Sequence, residues 1–211
     1  MKTIDSYNIC FLGRTGNGKS SLINALWGTK FSTDPLVSCT KEMYTVTVLE
    51  ENLNGNEGVT VIDTPGIGEF STDSKYERFY EHAVSVADCV VLVSTFDRTD
   101  APAQRLLKRM KECLDPSKNT KFIVALNHID SSIIAGVGEN YEPWDEEHDK
   151  PSDKCLQNIE ERISILHQKL DGKFLPFEVI PVCAVRGYGI NALKTSILNY
   201  LSFAYAQLFG S

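Results

Sequence analysis

Residues 13–20 read Gly13-Arg14-Thr15-Gly16-Asn17-Gly18-Lys19-Ser20, a GxxxxGK[ST] run. It lies between an apolar, β-branched segment, YNICFL (7–12), and a helix-compatible one that opens at Lys19 and carries Leu22, Ile23, Ala25 and Leu26. A strand that turns through glycines straight into a helix is half of a parallel β-α-β unit, so this one feature restricts the chain to α/β architectures. The glycines let the backbone wrap closely, and the helix N-terminus adds partial positive charge, so the turn is expected to hold phosphate oxygens on successive N–H groups. Lys19 is placed to reach the β- and γ-phosphates, and the Ser20 hydroxyl is a hard oxygen ligand for Mg²⁺.

The remaining chain continues the alternation. MYTVTVLE (43–50) and VTVID (59–63), joined through NLNGNEG, predict a hairpin. CVVLVS (89–94), KFIVALN (121–127) and FEVIPVCA (177–184) are short apolar runs of the kind found in strands covered on both faces. Helices are expected from Lys19 to about Trp27, over 103–114, over 153–170 and over 190–208. The expected fold is a six-stranded mixed sheet with one antiparallel strand, flanked by helices on both faces, as a single domain over 1–211. Residues 131–152 form a polar stretch with Gly, Pro and acidic residues, and within it Glu142–Asp149 is expected to be a solvated insertion with Trp144 as its one anchoring aromatic.

Every chemically suggestive motif follows a predicted strand, so all of them converge on the carboxyl rim of the sheet, where ligands of such sheets bind. Asp63-Thr64-Pro65-Gly66 ends the VTVID run. Asp63 is expected to hold Mg²⁺ through a water, and Gly66 can bring its N–H to a γ-phosphate. Thr40 is the candidate switch residue for Mg²⁺, with Thr33 and Ser38 as rivals in the same loop. Asn127-His128-Ile129-Asp130 follows the KFIVALN strand. A carboxylate at Asp130 can accept from guanine N1–H and the 2-amino group, and adenine would leave it unpaired. Asn127 is expected to tie this loop to the phosphate loop. Backbone N–H groups of Cys183, Ala184 and Val185 can meet guanine O6.

Taken together, GRTGNGKSS, a loop threonine, DTPG, NHID and CAVRGYG resemble the five motifs of P-loop GTPases, over residues 7 to about 208. Within that class the chain is similar to the Era/septin-like branch. LNHID, EPWDEE and PSDKCLQNIEERI look like the prophage-associated YfjP type, and CVVLVSTFDRTDAPAQRLL is similar to AIG1/Toc relatives. The resemblance implies a G domain that binds GTP and GDP with Mg²⁺ through residues 13–20, Ser21, Asn127, His128, Asp130 and 183–185. It implies catalysis by Lys19, Thr40 and Gly66, with Mg²⁺ held by Ser20, Thr40 and Asp63.

Two positions depart from the family pattern. His128 stands where a lysine usually lies along the purine. Ile67 follows Gly66, where Ras-like enzymes carry a water-orienting glutamine. Potassium stimulation is not expected, because Gly16 occupies the position of the required asparagine. Arg98 is the candidate catalytic arginine, supplied across a dimer as in AIG1-like relatives; its alternative role is an ion pair with Asp97 or Asp100. Two readings stay open: a slow GTPase switch, activated by dimerisation, and a GTP-gated assembly module with negligible hydrolysis.

Composition narrows the partners. A net charge of -7 argues against a dedicated nucleic-acid-binding surface. Six scattered cysteines without a CxxC pair suit a reducing cytosol. No signal-peptide pattern is seen at the start, and no apolar run reaches the roughly 18 residues of a membrane span. Leu201, Phe203, Tyr205, Leu208 and Phe209 exceed one helical stripe, so the last helix is expected either to pack on the sheet or to meet a protein partner or membrane. A homodimer across the nucleotide face is the other expected association.

Overall fold

The computed structural model describes residues 6–31, 44–49, 58–66, 74–95, 108, 110–131, 141–170 and 176–209. In chain order the elements are β1 (Ser6–Leu12), α1 (Lys19–Trp27), β2 (Tyr44–Leu49), β3 (Gly58–Asp63), α2 (Ser74–Val86), β4 (Cys89–Thr95) and β5 (Lys121–Asn127). They continue with β6 (Trp144–Asp145), β7 (Lys150–Pro151), α3 (Asp153–Leu170), β8 (Glu178–Pro181) and α4 (Ile190–Phe209). Residues 110–113 are also helical, within the predicted 103–114 segment; most of that segment's earlier residues lie outside the described ones.

The main sheet has six strands in the order β2-β3-β1-β4-β5-β8. β1 pairs parallel with β3 and β4, β4 with β5, and β5 with β8, whereas β2 runs antiparallel to β3. This is the expected mixed sheet. Strand periodicity splits the core in two. Cys10, Leu12, Val90, Leu92, Phe122 and Val124 face Ala83 and Val84 of α2 and Cys155, Ile159 and Leu166 of α3. Ile9, Phe11, Val91, Val93 and Ile123 face Leu22, Ile23 and Leu26 of α1 and Leu193, Ile197 and Leu201 of α4. A wholly buried side chain such as Phe11 or Phe122 stabilises by about 1.5–3 kcal/mol relative to exposure, so these two layers hold the rim of the sheet in place.

The boundaries of α1 follow from glycine. Gly18 (φ 82°) precedes it in the left-handed region and provides no side-chain cap, which leaves the first-turn N–H groups facing outward. Gly28 (φ 65°) ends it by donating its N–H to the Asn24 carbonyl at 2.8 Å.

Two expectations need correction. The last strand is shorter than 177–184, because the chain turns after Pro181 so that Cys183 donates its N–H to the Tyr188 carbonyl at 3.0 Å. The Glu142–Asp149 stretch is more than a solvated insertion. Trp144 is buried as its expected anchor, but the stretch also builds most of the two-stranded β6–β7 ribbon, and Tyr141 just before it is a second aromatic buried against the α2–α3 side of the core. For α4, Leu201 is fully buried on the sheet, while the side chains of Phe203, Tyr205, Leu208 and Phe209 lie outside the described residues.

Candidate functional site

The phosphate loop is folded by the strands beneath it. A Cβ at Gly13 would stand 2.4 Å from the Val93 carbonyl oxygen, so no larger residue fits where the loop leaves β1. Asn17 is buried, and its Nδ2 donates to the same carbonyl at 2.8 Å. Its amide therefore tethers the loop to β4. Lys19 Nζ donates to the carbonyls of Gly13 at 3.2 Å and Arg14 at 3.4 Å. The ammonium is thus held over the loop, although its own backbone begins the helix. Thr15 and Gly16 are exposed at the tip, and Ser21 is half-buried on α1.

Ser20 Oγ donates to Asp63 Oδ2 at 2.8 Å. Asp63 is 1% exposed, and its other oxygen, Oδ1, has no hydrogen-bond partner among the described residues. Burial raises the Asp63 pKa, opposed by the Lys19 charge and the Ser20 hydrogen bond. A buried carboxylate oxygen without a donor, beside a serine hydroxyl, fits a hard divalent cation such as Mg²⁺. Next along the chain, Thr64 Oγ1 donates to the Phe11 carbonyl at 2.8 Å, and the Tyr80 hydroxyl donates to the Pro65 carbonyl. These bonds bring Gly66 against Thr15: a Cβ on Gly66 would lie 1.8 Å from Thr15 Oγ1. The glycine thus leaves room for the loop after β3 to lie directly on the phosphate loop.

The base-side loops join the phosphate loop through Asn127, which is fully buried. Its Nδ2 donates to the Asn17 carbonyl at 3.0 Å, and its Oδ1 accepts from Ala184 N–H at 3.3 Å. One amide thus links three loops. His128 adopts a left-handed conformation (φ 59°), with Nε2 lying 3.2 Å from where a Cβ on Gly18 would be. The imidazole therefore rests on the phosphate loop. Asp130 is at the same rim and faces Arg186, with Nε 3.7 Å from Oδ2. Burial pushes the Cys183 thiol up to about 11, and the nearby Asp130 carboxylate adds to the rise. Val185 is 79% exposed at the edge of the site.

Thr40, its rivals Thr33 and Ser38, Ile67 and Arg98 lie outside the described residues. Sequence reasoning missed Thr64, Tyr80 and Arg186. Arg186 was present in CAVRGYG, three residues after Cys183, but its partners come from a segment with no periodic signal.

Residues 8–128, more than half of the chain, match the profile of the family described as 50S ribosome-binding GTPase. Among curated relatives, YfjP of Escherichia coli (strain K12) is 28% identical over 181 residues, covering 84% of this chain and 55% of YfjP. The chain thus spans about half the length of that relative. Among solved structures, Era in complex with MgGDPNP and a 16S ribosomal RNA segment superposes with a TM-score of 0.65 at 20% identity, covering 93% of this chain and 57% of that one. A dimerization-deficient mutant of Toc33 from Arabidopsis thaliana gives 0.68 at 16% identity, covering 93% and 84%. These two likenesses show the shared fold. Among the described residues, no helix is long and apolar enough to cross a membrane.

Proposed function

The chain belongs to the P-loop GTPase family described as 50S ribosome-binding GTPase, and from that membership we propose that it hydrolyses GTP slowly to GDP and phosphate and serves as a nucleotide-dependent switch in the cytoplasm. The observation that carries this reading is the Ser20–Asp63 pair, with its orphaned buried carboxylate oxygen, beside Lys19 on the carboxyl rim of the sheet. Ser20 and Asp63, with Thr40 from the sequence before β2, would hold Mg²⁺, which neutralises phosphate charge when bound. Lys19 adds the second positive charge against the β- and γ-phosphates. Backbone N–H groups of residues 13–20 hold the phosphate oxygens, and the Gly66 N–H meets the γ-phosphate. Asp130 accepts from guanine N1–H and the 2-amino group, and the loop 183–185 serves O6. GTP and GDP then differ at Thr40 and Gly66, the two places that respond to the γ-phosphate.

Slow turnover follows from Ile67, since an aliphatic side chain after Gly66 cannot orient an attacking water. Arg98, supplied in trans across a homodimer, is the proposed accelerator; an arginine in that role is worth about 10³–10⁵ in rate. The Toc33 structure is of a dimerization-deficient mutant, and that likeness is in keeping with self-association as part of this reading. Ile67 also favours a second reading, a GTP-gated assembly module that barely hydrolyses.

The test is GTP hydrolysis at two protein concentrations, with an Arg98→Ala control. A specific rate that climbs with concentration, and a variant that loses the climb, support dimer activation. A slow, flat rate in both assigns Arg98 to structure. A negligible rate despite tight GTP binding selects the assembly module.

A further inference from the structure

Arg186 has no role in the nucleotide chemistry described above, yet its guanidinium is engaged by Glu146, Asp149 and Trp144 beside the base-side loops. Nη1 and Nη2 donate to the two oxygens of Glu146 at 2.9 and 2.7 Å. Nη1 also lies 3.9 Å from Asp149 Oδ1. The guanidinium carbon stands 4.6 Å from the centre of the Trp144 ring. Trp144 is itself fixed: its Nε1 donates to Asp149 Oδ1 at 3.0 Å, and Tyr188 meets it edge-on at 5.9 Å. The planar fork on Glu146 and the stack on Trp144 set both the direction and the plane of the guanidinium. The remaining donor, Nε, then faces Asp130 Oδ2 at 3.7 Å.

That distance is informative. It is too long for a hydrogen bond, so Arg186 acts on Asp130 through its charge without occupying the oxygen's lone pairs. Arg186 itself therefore leaves the Asp130 oxygens open to accept from a base; the group hydrogen-bonded to this carboxylate is the Cys183 thiol. The side chains are 30% and 22% exposed, so the contact is partly sheltered from water. An isolated surface ion pair contributes little, but a cation held by a bidentate partner and an aromatic face has lost its freedom before the ligand arrives.

We infer that Arg186, clamped by Glu146 and Trp144 of the β6–β7 ribbon, is a positioning residue for Asp130 that sets how strictly the site demands the 2-amino group of guanine. The inference rests on the reading of Asp130 as the base-recognising carboxylate. It makes the ribbon part of the nucleotide site, at one remove from the base. If Arg186 only pinned the ribbon to the domain, its loss would weaken every nucleotide alike.

The experiment is titration of the full chain, with Mg²⁺, by GDP, IDP and ADP. IDP lacks only the 2-amino group. The ratio of IDP to GDP dissociation constants is the readout. Arg186→Ala is expected to lower that ratio at least fivefold, with GDP affinity falling more than IDP affinity. Arg186→Lys, which keeps a cation near Asp130, is expected to recover part of it. Glu146→Ala releases the fork while leaving the charge, and is expected to lower the ratio about twofold; it and Arg186→Lys carry the test if Arg186→Ala does not fold. An unchanged ratio in the folded variants, including parallel losses for GDP and IDP, overturns the inference while the wild-type preference stands. A wild-type protein that binds GDP, IDP and ADP equally overturns the reading of Asp130 and the inference together, so the two failures are distinct.

Discussion

Asn127 and Asn17, 110 positions apart in the chain, are joined by a buried hydrogen bond of 3.0 Å from the Asn127 side-chain amide to the Asn17 carbonyl. Because Asn127 also accepts from Ala184, the phosphate loop, the base loop and the loop after β8 share one amide. Asn127→Ala strands the buried Asn17 carbonyl and the part-buried Ala184 N–H, and an unpaired buried group costs about 1–3 kcal/mol. The variant is expected to unfold at lower urea concentration and to bind GDP at least tenfold more weakly. Wild-type GDP affinity in a folded variant would show that the three loops keep their places without it.

Asp63→Asn separates binding from stability. The buried carboxylate loses its charge, while the asparagine oxygen still accepts from Ser20. The nucleotide-free variant is therefore expected to melt at a higher temperature than the wild type, because burial disfavours the charged form. The same variant should lose the Mg²⁺ dependence of nucleotide binding. Thermal melts with and without Mg²⁺ and GDP check both halves; a lower melting temperature without nucleotide would contradict the first.

Gly66→Ala places a methyl group where Thr15 Oγ1 and the Thr15 nitrogen already stand, 1.8 and 2.4 Å from the new carbon. The loop after Asp63 must move away from the phosphate loop. GTP binding is expected to fall by an order of magnitude, with GDP binding changed less than threefold, because GDP has no γ-phosphate for that loop to meet. Equal losses for the two nucleotides would show that Gly66 serves the fold alone.

Asp130→Asn exchanges an acceptor for a donor at the base. Preference should shift from GTP toward xanthosine triphosphate, whose 2-oxo group accepts where guanine donates. Competition binding of the two nucleotides reads this directly; unchanged selectivity would remove Asp130 from base recognition.

Alkaline stability follows from Cys89. Burial pushes its thiol from 9.0 up to about 12, with Lys121 opposing the rise and Asp88 and Glu178 reinforcing it. The unfolded chain therefore releases this proton at lower pH than the folded one. Stability contributed by the protonated thiol is full below pH 9 and declines as pH rises above it, by at most about 1.4 kcal/mol per pH unit. Urea unfolding at pH 8 and pH 10 should show a gap between wild type and Cys89→Ala that narrows at the higher pH. A constant gap would show that Cys89 does not titrate in that window.

The order of the six main strands was legible in the sequence because each strand buried on both faces must be apolar throughout, as CVVLVST and KFIVALN are, whereas helix α2 (Ser74–Val86) was not among the expected helices. Glycines at 13, 16, 18 and 66 announced a close approach to backbone or ligand, and the acidic and amide residues after each strand marked the rim. Those signals are local: they come from steric permission, periodicity and donor chemistry within a few residues. What only the tertiary structure decided are the pairings across distance. That Gly66 rests on Thr15, that Asn127 reaches Asn17, and that Arg186 is gripped by Glu146 and Trp144 while facing Asp130 depend on which strand lies beside which. The β6–β7 ribbon was illegible for the same reason. Two-residue strands carry no period, and Trp144 and Glu146 acquire their meaning only when the sheet order brings the loop after β8 alongside them.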